Sequence, residues 1–223
     1  MCTVVLRFMP TTLWALLVRD ELLDRPTTGY GPWWPDNGAR VYGSQDLQAG
    51  GTAAALDFDG RLACVVNGPP EPPNPALLTR GFLPLDALRG RFRSPDELRR
   101  TAPFYLVNAR FDGADVRGWV DGEASHTRLT SGDHVLVNAG LDVPFDERAA
   151  AVHEALKTTQ IDSDPRSWEP VMKAAVMPPR QFEGRWYGTV GVTAVRLWQD
   201  GLEAHVAMPL PADPLPWVPI GPG

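Results

Sequence analysis

Cys2 offers more chemistry than any other residue in the chain. It follows an initiator methionine, and a small residue in that place is commonly exposed by trimming of Met1. Trimming would put a thiol and a free α-amine on one residue, so that a nucleophile and its base arrive together. An unperturbed thiol titrates near ~8.5 and an α-amine near ~7.7–8.0, so the amine can take the thiol proton close to neutral pH. The first step of an N-terminal-nucleophile mechanism needs nothing more. Two other readings fit the same residue: a small buried hydrophobe on a first strand, and a redox-responsive thiol of lowered pKa.

Elsewhere the chemical signals are sparser. Tyr30, Trp33 and Trp34 lie in the Pro/Gly-rich segment GYGPWWPD, which suits presentation of rings to an apolar or planar ligand. Core packing of one Trp with a lid role for the other fits that segment equally. His126, His134, His153 and His205 are dispersed, with no His-Glu-x-x-His and no metal-ligand spacing, so surface or core positions are expected and no metal is. Cys2 and Cys64 form neither a Cys-x-x-Cys pair nor a disulfide framework, which suits a reducing compartment. There is no Gly-x-Ser-x-Gly elbow and no Walker loop.

The elements that must position these residues are read from composition and patterning. Of 223 residues, 43% are hydrophobic and 22% charged, the balance of an ordinary globule. A net charge of −6, with Arg80–Arg100 broken by Asp86, Asp96 and Glu97, argues against a nucleic-acid partner. The longest apolar run, Leu13–Val18, is far below the ~20 residues of a membrane span. The N-terminus lacks the pattern of a signal peptide, which predicts a cytoplasmic protein.

With 21 Gly and 23 Pro punctuating short apolar runs, sheet dominates the reading. Strands are expected near Cys2–Phe8, Leu13–Val18, Ala39–Gly43, Thr52–Phe58, Arg61–Val66, Phe104–Phe111, Val116–Val120, His134–Asn138, Trp186–Trp198 and Leu202–Met208. Asp59-Gly60, Asp112-Gly113 and Asp200-Gly201 read as hairpin turns. Helical turns are expected in Pro75–Arg80 and Leu85–Gly90, a capping box at Ser94–Glu97, and helices over Asp146–Thr159 and Trp168–Val176. The segment 67–74 is a Pro-rich loop. The pattern predicts an α+β fold, two antiparallel sheets with helices, as one domain over 1–208 and a Pro-rich tail over 209–223 that suits neither a helix nor a central strand.

Seven motifs fall in order along the chain: MCTVVLRF, LLVRDELLDRP, Gly50-Gly51-Thr52, ACVVNGPPEP with a strand ending at Asn67, LLTRGFL at 77–83, LVNAG at 136–140, and YGTVGVTAVRL at 187–197. Together they resemble the transport and Golgi organisation protein 2 family, also called NRDE after its Asn-Arg-Asp-Glu signature. That family in turn is similar to the cholylglycine hydrolase branch of N-terminal-nucleophile hydrolases, which implies an α/β/β/α sandwich. The resemblance implies roles. Arg19 would favour the Cys2 thiolate, Asp20 or Glu21 would hold the α-amine, Asn67 would donate to an oxyanion, and Asn138 would orient the substrate or the amine. Without the resemblance, Arg19 and Glu21 fit a surface ion pair, and Asn67 and Asn138 fit strand ends. Val18, Ala53 and Val190 stand where the family commonly has Asn, Trp and Arg, and the first removes a polar side chain expected beside Cys2.

Two functions follow from the resemblance. One is an amidohydrolase of C–N bonds using Cys2 on an apolar acyl or planar substrate, with no cofactor required. The other is a non-catalytic carrier of haem, lipid or acyl-CoA, with haem as ligand. In both the partner is a small apolar or planar molecule. The sequence does not fix an oligomeric state.

Overall fold

A computed structural model describes residues 2–38, 40–70, 74, 76–208 and 216–222, with Cys2 and Phe182 described by their backbones. Ala39, Pro75, the stretch 71–73 of the Pro-rich loop and 209–215 of the expected tail lie outside the described residues.

The chain opens with the hairpin β1 (Cys2–Met9) and β2 (Thr12–Leu22), followed by β3 (Thr27–Gly31), β4 (Val41–Asp46), β5 (Ala54–Asp57) and β6 (Arg61–Asn67). Two short helices follow, α1 (Leu83–Leu88) and α2 (Pro95–Arg99). Then come β7 (Phe104–Arg110), β8 (Gly113–Val120), β9 (Glu123–Leu129), β10 (Gly132–Val137) and β11 (Gly140–Leu141). Helices α3 (Glu147–Thr158) and α4 (Glu169–Ala175) precede β12 (Arg180–Phe182), β13 (Arg185–Trp198), β14 (Gly201–Ala207) and β15 (Val218–Ile220).

The strands form two antiparallel sheets. The first runs β11-β10-β1-β2-β13-β14-β15, with β12 also on β13, and the second runs β3 to β9 in chain order. Alternation on β1 and β2 builds the layers, because successive side chains leave opposite faces of a strand. Val4, Leu6, Leu13, Ala15 and Leu17 enter a core shared with Leu56, Leu62, Cys64 and Val107 of the second sheet. Val5, Leu16 and Val18 enter a second core with Val152, Leu156, Trp168 and Met172 of the α3–α4 layer. On the far side of the second sheet, Ala55, Ala63 and Leu106 pack against Leu83, Leu85 and Leu88 of α1. The result is the layered α/β/β/α sandwich.

Several local expectations are corrected. Pro75–Arg80 is not helical in its described residues: Leu78 bridges Thr101, and a single 3-10 turn at Arg80–Phe82 leads into α1. Asp59-Gly60 belongs to a three-residue connection between Asp57 and Arg61, with Gly60 at φ 91. In the Asp112-Gly113 and Asp200-Gly201 hairpins the glycine is already the first strand residue, paired with Arg110 and Trp198 respectively. Space holds these two glycines: a Cβ would meet the Arg128 guanidinium at 2.3 Å or the Trp198 indole at 2.6 Å. The turns with positive φ at both central residues are Asp121-Gly122, which leads into the unexpected polar strand β9, and Glu183-Gly184, which joins β12 to β13. β3 was equally unexpected, its Thr-Thr-Gly-Tyr-Gly lacking an apolar alternation. Val218–Ile220 form an edge strand on β14, where Pro219 is tolerated.

Candidate functional site

The register of the first sheet gathers one end of five strands. Cys2 pairs with Arg19 across the β1–β2 hairpin, and Arg19 pairs with Gly191 of β13. Val4 pairs with Leu136, so the same register brings Asn138, just past β10, level with Cys2. Val192 pairs with Ala207, which brings Met208 level with Gly191. Gly191 is needed there, since a Cβ would meet the Met208 side chain at 2.4 Å.

Between the sheets at this end lies a cavity of about 40 Å³, lined by Thr3, Val4, Leu17, Arg19, Tyr30, Cys64, Gly191, Thr193 and Met208, among others. Its wall is mostly apolar, and its hydroxyls are satisfied within the protein. Ser44 Oγ donates to the Thr28 carbonyl at 2.7 Å, and Thr52 Oγ1 to that of Ala54 at 2.7 Å. The Tyr30 phenol and Thr193 Oγ1 share a hydrogen bond of 2.8 Å that joins the two sheets. Burial pushes the Tyr30 phenol above its ordinary value, opposed by the Thr193 hydrogen bond and the charge of Arg19. The phenol therefore stays neutral and acts here as a hydrogen-bonding wall.

Arg19 is the charged group of this cavity. Its ion pair is with Glu21 at 3.6 Å, a distance of loose association. Glu21 shares the strand face of Arg19 and accepts a hydrogen bond from the Leu22 amide at 2.9 Å. Asp20, between them, points the other way. Its carboxylate is buried on the helix side, accepting Thr189 Oγ1 at 2.5 Å and pairing with Arg148 at 2.6 Å. Alternation sends the Asp20 side chain to the helix side and leaves Glu21 on the Arg19 face.

Asn138 donates its amide to the Asn67 carbonyl at 2.8 Å, tying the end of β10 to the end of β6. Asn67 makes no side-chain hydrogen bond among the described residues, and it is half-buried. Of the three aromatic residues nominated, Tyr30 lines the cavity and the two Trp do not. Trp34 is buried in the core beyond the second sheet, with Nε1 donating to the Gly50 carbonyl at 3.0 Å. Trp33 is exposed and folds back, donating to the Gly29 carbonyl at 2.9 Å.

Other expected features acquire structural roles. The Gly-Gly-Thr and LLTRGFL motifs meet: Thr52 N–H donates to the Gly81 carbonyl at 2.7 Å, and a Cβ on Gly51 would come within 2.3 Å of the Gly81 carbonyl carbon. Arg25 of LLDRP pairs with Asp46 at 2.8 Å. Val18 packs toward the helices, so that position does not add polarity beside Cys2. Two of the histidines are not dispersed in space. His134 and His153 both reach Asp142, at 2.7 and 3.3 Å, while His126 pairs with Asp115 at 2.7 Å. No group of three or more metal-ligating side chains occurs among the described residues.

Thr189, Thr193 and Arg148 escaped the sequence reading. The first two lie inside the quoted motif YGTVGVTAVRL, where hydroxyls at 189 and 193 are four apart, a spacing that puts both on one face of a regular strand. A β-bulge between Thr189 and Gly191 divides them: Thr189 pairs with Asp20 and faces the helices, whereas Thr193 pairs with Leu17 and faces the cavity. Arg148 gave no motif signal beyond a basic residue in a helical first turn.

A family model described as Transport and Golgi organisation 2 matches residues 1–165. The chain belongs to this family. No curated protein matches it in sequence. Among solved structures, the family fold seen here is similar to a Caenorhabditis elegans N-acylethanolamine-hydrolyzing acid amidase ortholog, at TM-score 0.57 and 12% identity over 94% of this chain and 100% of that one. It is also similar to conjugated bile acid hydrolase from Clostridium perfringens in two variants. The Cys-to-Ala variant gives TM-score 0.62 at 11% identity over 99% of this chain and 92% of that one. The Arg-to-Leu variant gives 0.61 at 10% over 98% and 92%. At these identities the likeness concerns the fold: this Transport and Golgi organisation 2 member has the N-terminal-nucleophile hydrolase architecture. Among the described residues, no helix is long and apolar enough to cross a membrane.

Proposed function

We propose that the protein is an amidohydrolase in which Cys2, freed of Met1, attacks the carbonyl of an N-acyl amide whose narrow acyl group enters the cavity between the sheets. The observation that carries this reading is the placing of Arg19, loosely paired at a cavity wall, in register with Cys2. A nearby guanidinium favours thiolate over thiol. The α-amine takes the thiol proton, and the sulfur forms a bond to the acyl carbon as the amide carbonyl becomes an oxyanion. Asn67, whose side-chain amide makes no hydrogen bond among the described residues, is the assigned donor to that oxyanion. Collapse breaks the C–N bond, and the ammonium returns its proton to the leaving amine. Water, deprotonated by the α-amine, then cleaves the thioester to release the acid and restore the thiol. Glu21 and Asn138 are assigned to holding the α-amine and the substrate side of the site.

The mostly apolar wall of the cavity suits an acyl group. Its volume of about 40 Å³ means that the wall must move to admit more than the first carbons of a chain, a smaller movement than a porphyrin would need. The likeness to an N-acylethanolamine-hydrolyzing amidase and a bile acid hydrolase supports the same class of bond. The test is intact mass of protein with a native N-terminus, followed by turnover of N-acyl amides of graded chain length. Loss of Met1, hydrolysis that Cys2→Ala abolishes, and a trapped acyl adduct on Cys2 are expected. Retained Met1, or an acyl-amide panel that binds without turning over, overturns the hydrolase reading in favour of a carrier.

A further inference from the structure

Arg148 stands in the first turn of α3, where Asp146 caps the helix and the backbone presents its positive end. A cation in that turn opposes the helix dipole, so the helix itself gives no reason for it. Its contacts do. Arg148 Nη1 lies 2.6 Å from Asp20 Oδ2 and 3.2 Å from Thr3 Oγ1. Thr3 immediately follows Cys2 on β1, and Asp20 immediately follows Arg19 on β2. One guanidinium thus spans both strands on the helix side of the sheet, directly behind the Cys2–Arg19 pair.

The grip is reinforced on the Asp20 side. Asp20 Oδ1 accepts Thr189 Oγ1, the same Thr189 Oγ1 accepts the Met177 amide at 2.7 Å, and the Tyr187 phenol donates to the Asp20 carbonyl at 3.1 Å. The Asp20 carboxylate is fully buried and Arg148 is only 19% exposed, so the pair sits in a medium that screens it little. β2 is therefore anchored to β13 and to α3 at this residue. β1 pairs with β2 from Cys2 onward and with β10 only from Val4 onward, and Arg148 adds a side-chain tie at Thr3.

We propose that Arg148 is a positioning residue for the Cys2–Arg19 pair: by linking Thr3 to Asp20 it fixes the offset of β1 against β2 and holds Cys2 within the field of Arg19. This rests on the proposed Cys2-thiolate chemistry. Arg148 is not among the described residues that line the cavity; it acts through the two backbone segments, and small displacements at a reacting centre carry large rate penalties.

The experiment measures alkylation of Cys2 by iodoacetamide between pH 5.5 and 10 on the full chain lacking Met1. Peptide mass spectrometry reads Cys2 separately from Cys64. Wild type, Arg19→Ala, Arg148→Gln, Arg148→Lys and Thr3→Val are compared. The wild-type thiol is expected to titrate below the ordinary value near ~8.5 and Arg19→Ala to restore that value. Arg148→Gln and Thr3→Val are expected to move the profile part of the way. At pH 7 they slow alkylation about three- to tenfold, the rate following the thiolate fraction. Arg148→Lys recovers part of the loss, because it keeps a charge and donors at Asp20 on a shorter side chain that reaches Thr3 less well.

Thr3→Val removes one hydroxyl at constant shape, so it and Arg148→Lys decide the matter if Arg148→Gln fails to fold. If both leave the wild-type pH profile unchanged while Arg19→Ala shifts it, Arg148 is a structural residue only. The positioning role is then overturned and the thiolate reading stands. If Arg19→Ala itself leaves the profile unchanged, the thiolate reading falls and the positioning role falls with it.

Discussion

Arg19 and Asp20 are adjacent on one strand and were read together in one motif, yet they inhabit different regions of the molecule. Asp20 is fully buried, its carboxylate bonded to Thr189 and Arg148 and its carbonyl to Tyr187. Arg19 lines a cavity with a single ion pair at 3.6 Å. The side chain facing the helices is held by several partners, while its neighbour lies at the cavity wall. Alternation in a strand makes such a division possible within one peptide unit. A signature of consecutive polar residues therefore serves two faces of the sheet, one a buried anchor and the other a cavity wall.

Truncation of Asp20 is the strongest test of this contrast. Asp20→Ala leaves Arg148 facing a vacated acceptor and is expected to cost about 3–5 kcal/mol in urea unfolding, the range for breaking a buried pair from one side. A loss below 1 kcal/mol would erase the distinction drawn between the two faces. The two tryptophans repeat the contrast on the second sheet. Trp34→Ala should cost about 3–5 kcal/mol as a buried large side chain, whereas Trp33→Ala, at 44% exposure, should stay within about 0.5 kcal/mol. Comparable losses for both would show that Trp33 is committed too.

A smaller effect comes from the half-exposed His134–Asp142 pair. The hydrogen bond to Asp142 raises the His134 pKa, and that to His134, with the Val135 amide, lowers that of Asp142. A raised histidine value means stability that is complete below about pH 6.5 and lost as pH rises through the folded-state value. The lowered carboxylate value means stability present above the ordinary Asp range and lost as pH falls through its own folded-state value. The pair should therefore contribute most between about pH 4 and 6.5. Its contribution should amount to about 1 kcal/mol or less after solvent screening. The wild-type melting temperature should fall between pH 6 and 8 more than that of Asp142→Asn, which keeps the acceptor for Val135 and tolerates the positive φ of 51. Equal slopes would remove the pair from the pH dependence.

Much of the scaffold was legible because apolar alternation and Gly/Pro punctuation are local signals. The β1–β2 hairpin, the β5–β6 and β13–β14 pairs, the capping box at Ser94 and both longer helices are all written in short windows. β9 was not, since its residues are exposed at every position but Leu129 and, apart from Ala124, polar at those positions, leaving only Asp121-Gly122 as a signal. The site was partly legible for a different reason. Cys2, Arg19 and Asn138 come together through register, which a resemblance in order along the chain approximates. The contacts of Arg148 with Asp20 and Thr3 span more than a hundred residues of sequence, and no local pattern announces them. Trp33 and Trp34 misled because aromatic rings in a Pro-rich segment have no preferred face until the chain turns.

The bulge at Val190 gives β13 two phases. Upstream, its odd-numbered residues belong to the helix layer; downstream, they belong to the cavity. Position 190 is thus where the strand changes step, and its side chain matters less than its presence as one extra residue. Deleting it would rotate Tyr187 and Thr189 off Asp20 or carry Thr193 away from Tyr30, whichever half kept its register. The cavity wall and the anchor behind it are in this sense a single counted length of chain, in which residue type at the junction is free to drift while residue number is not.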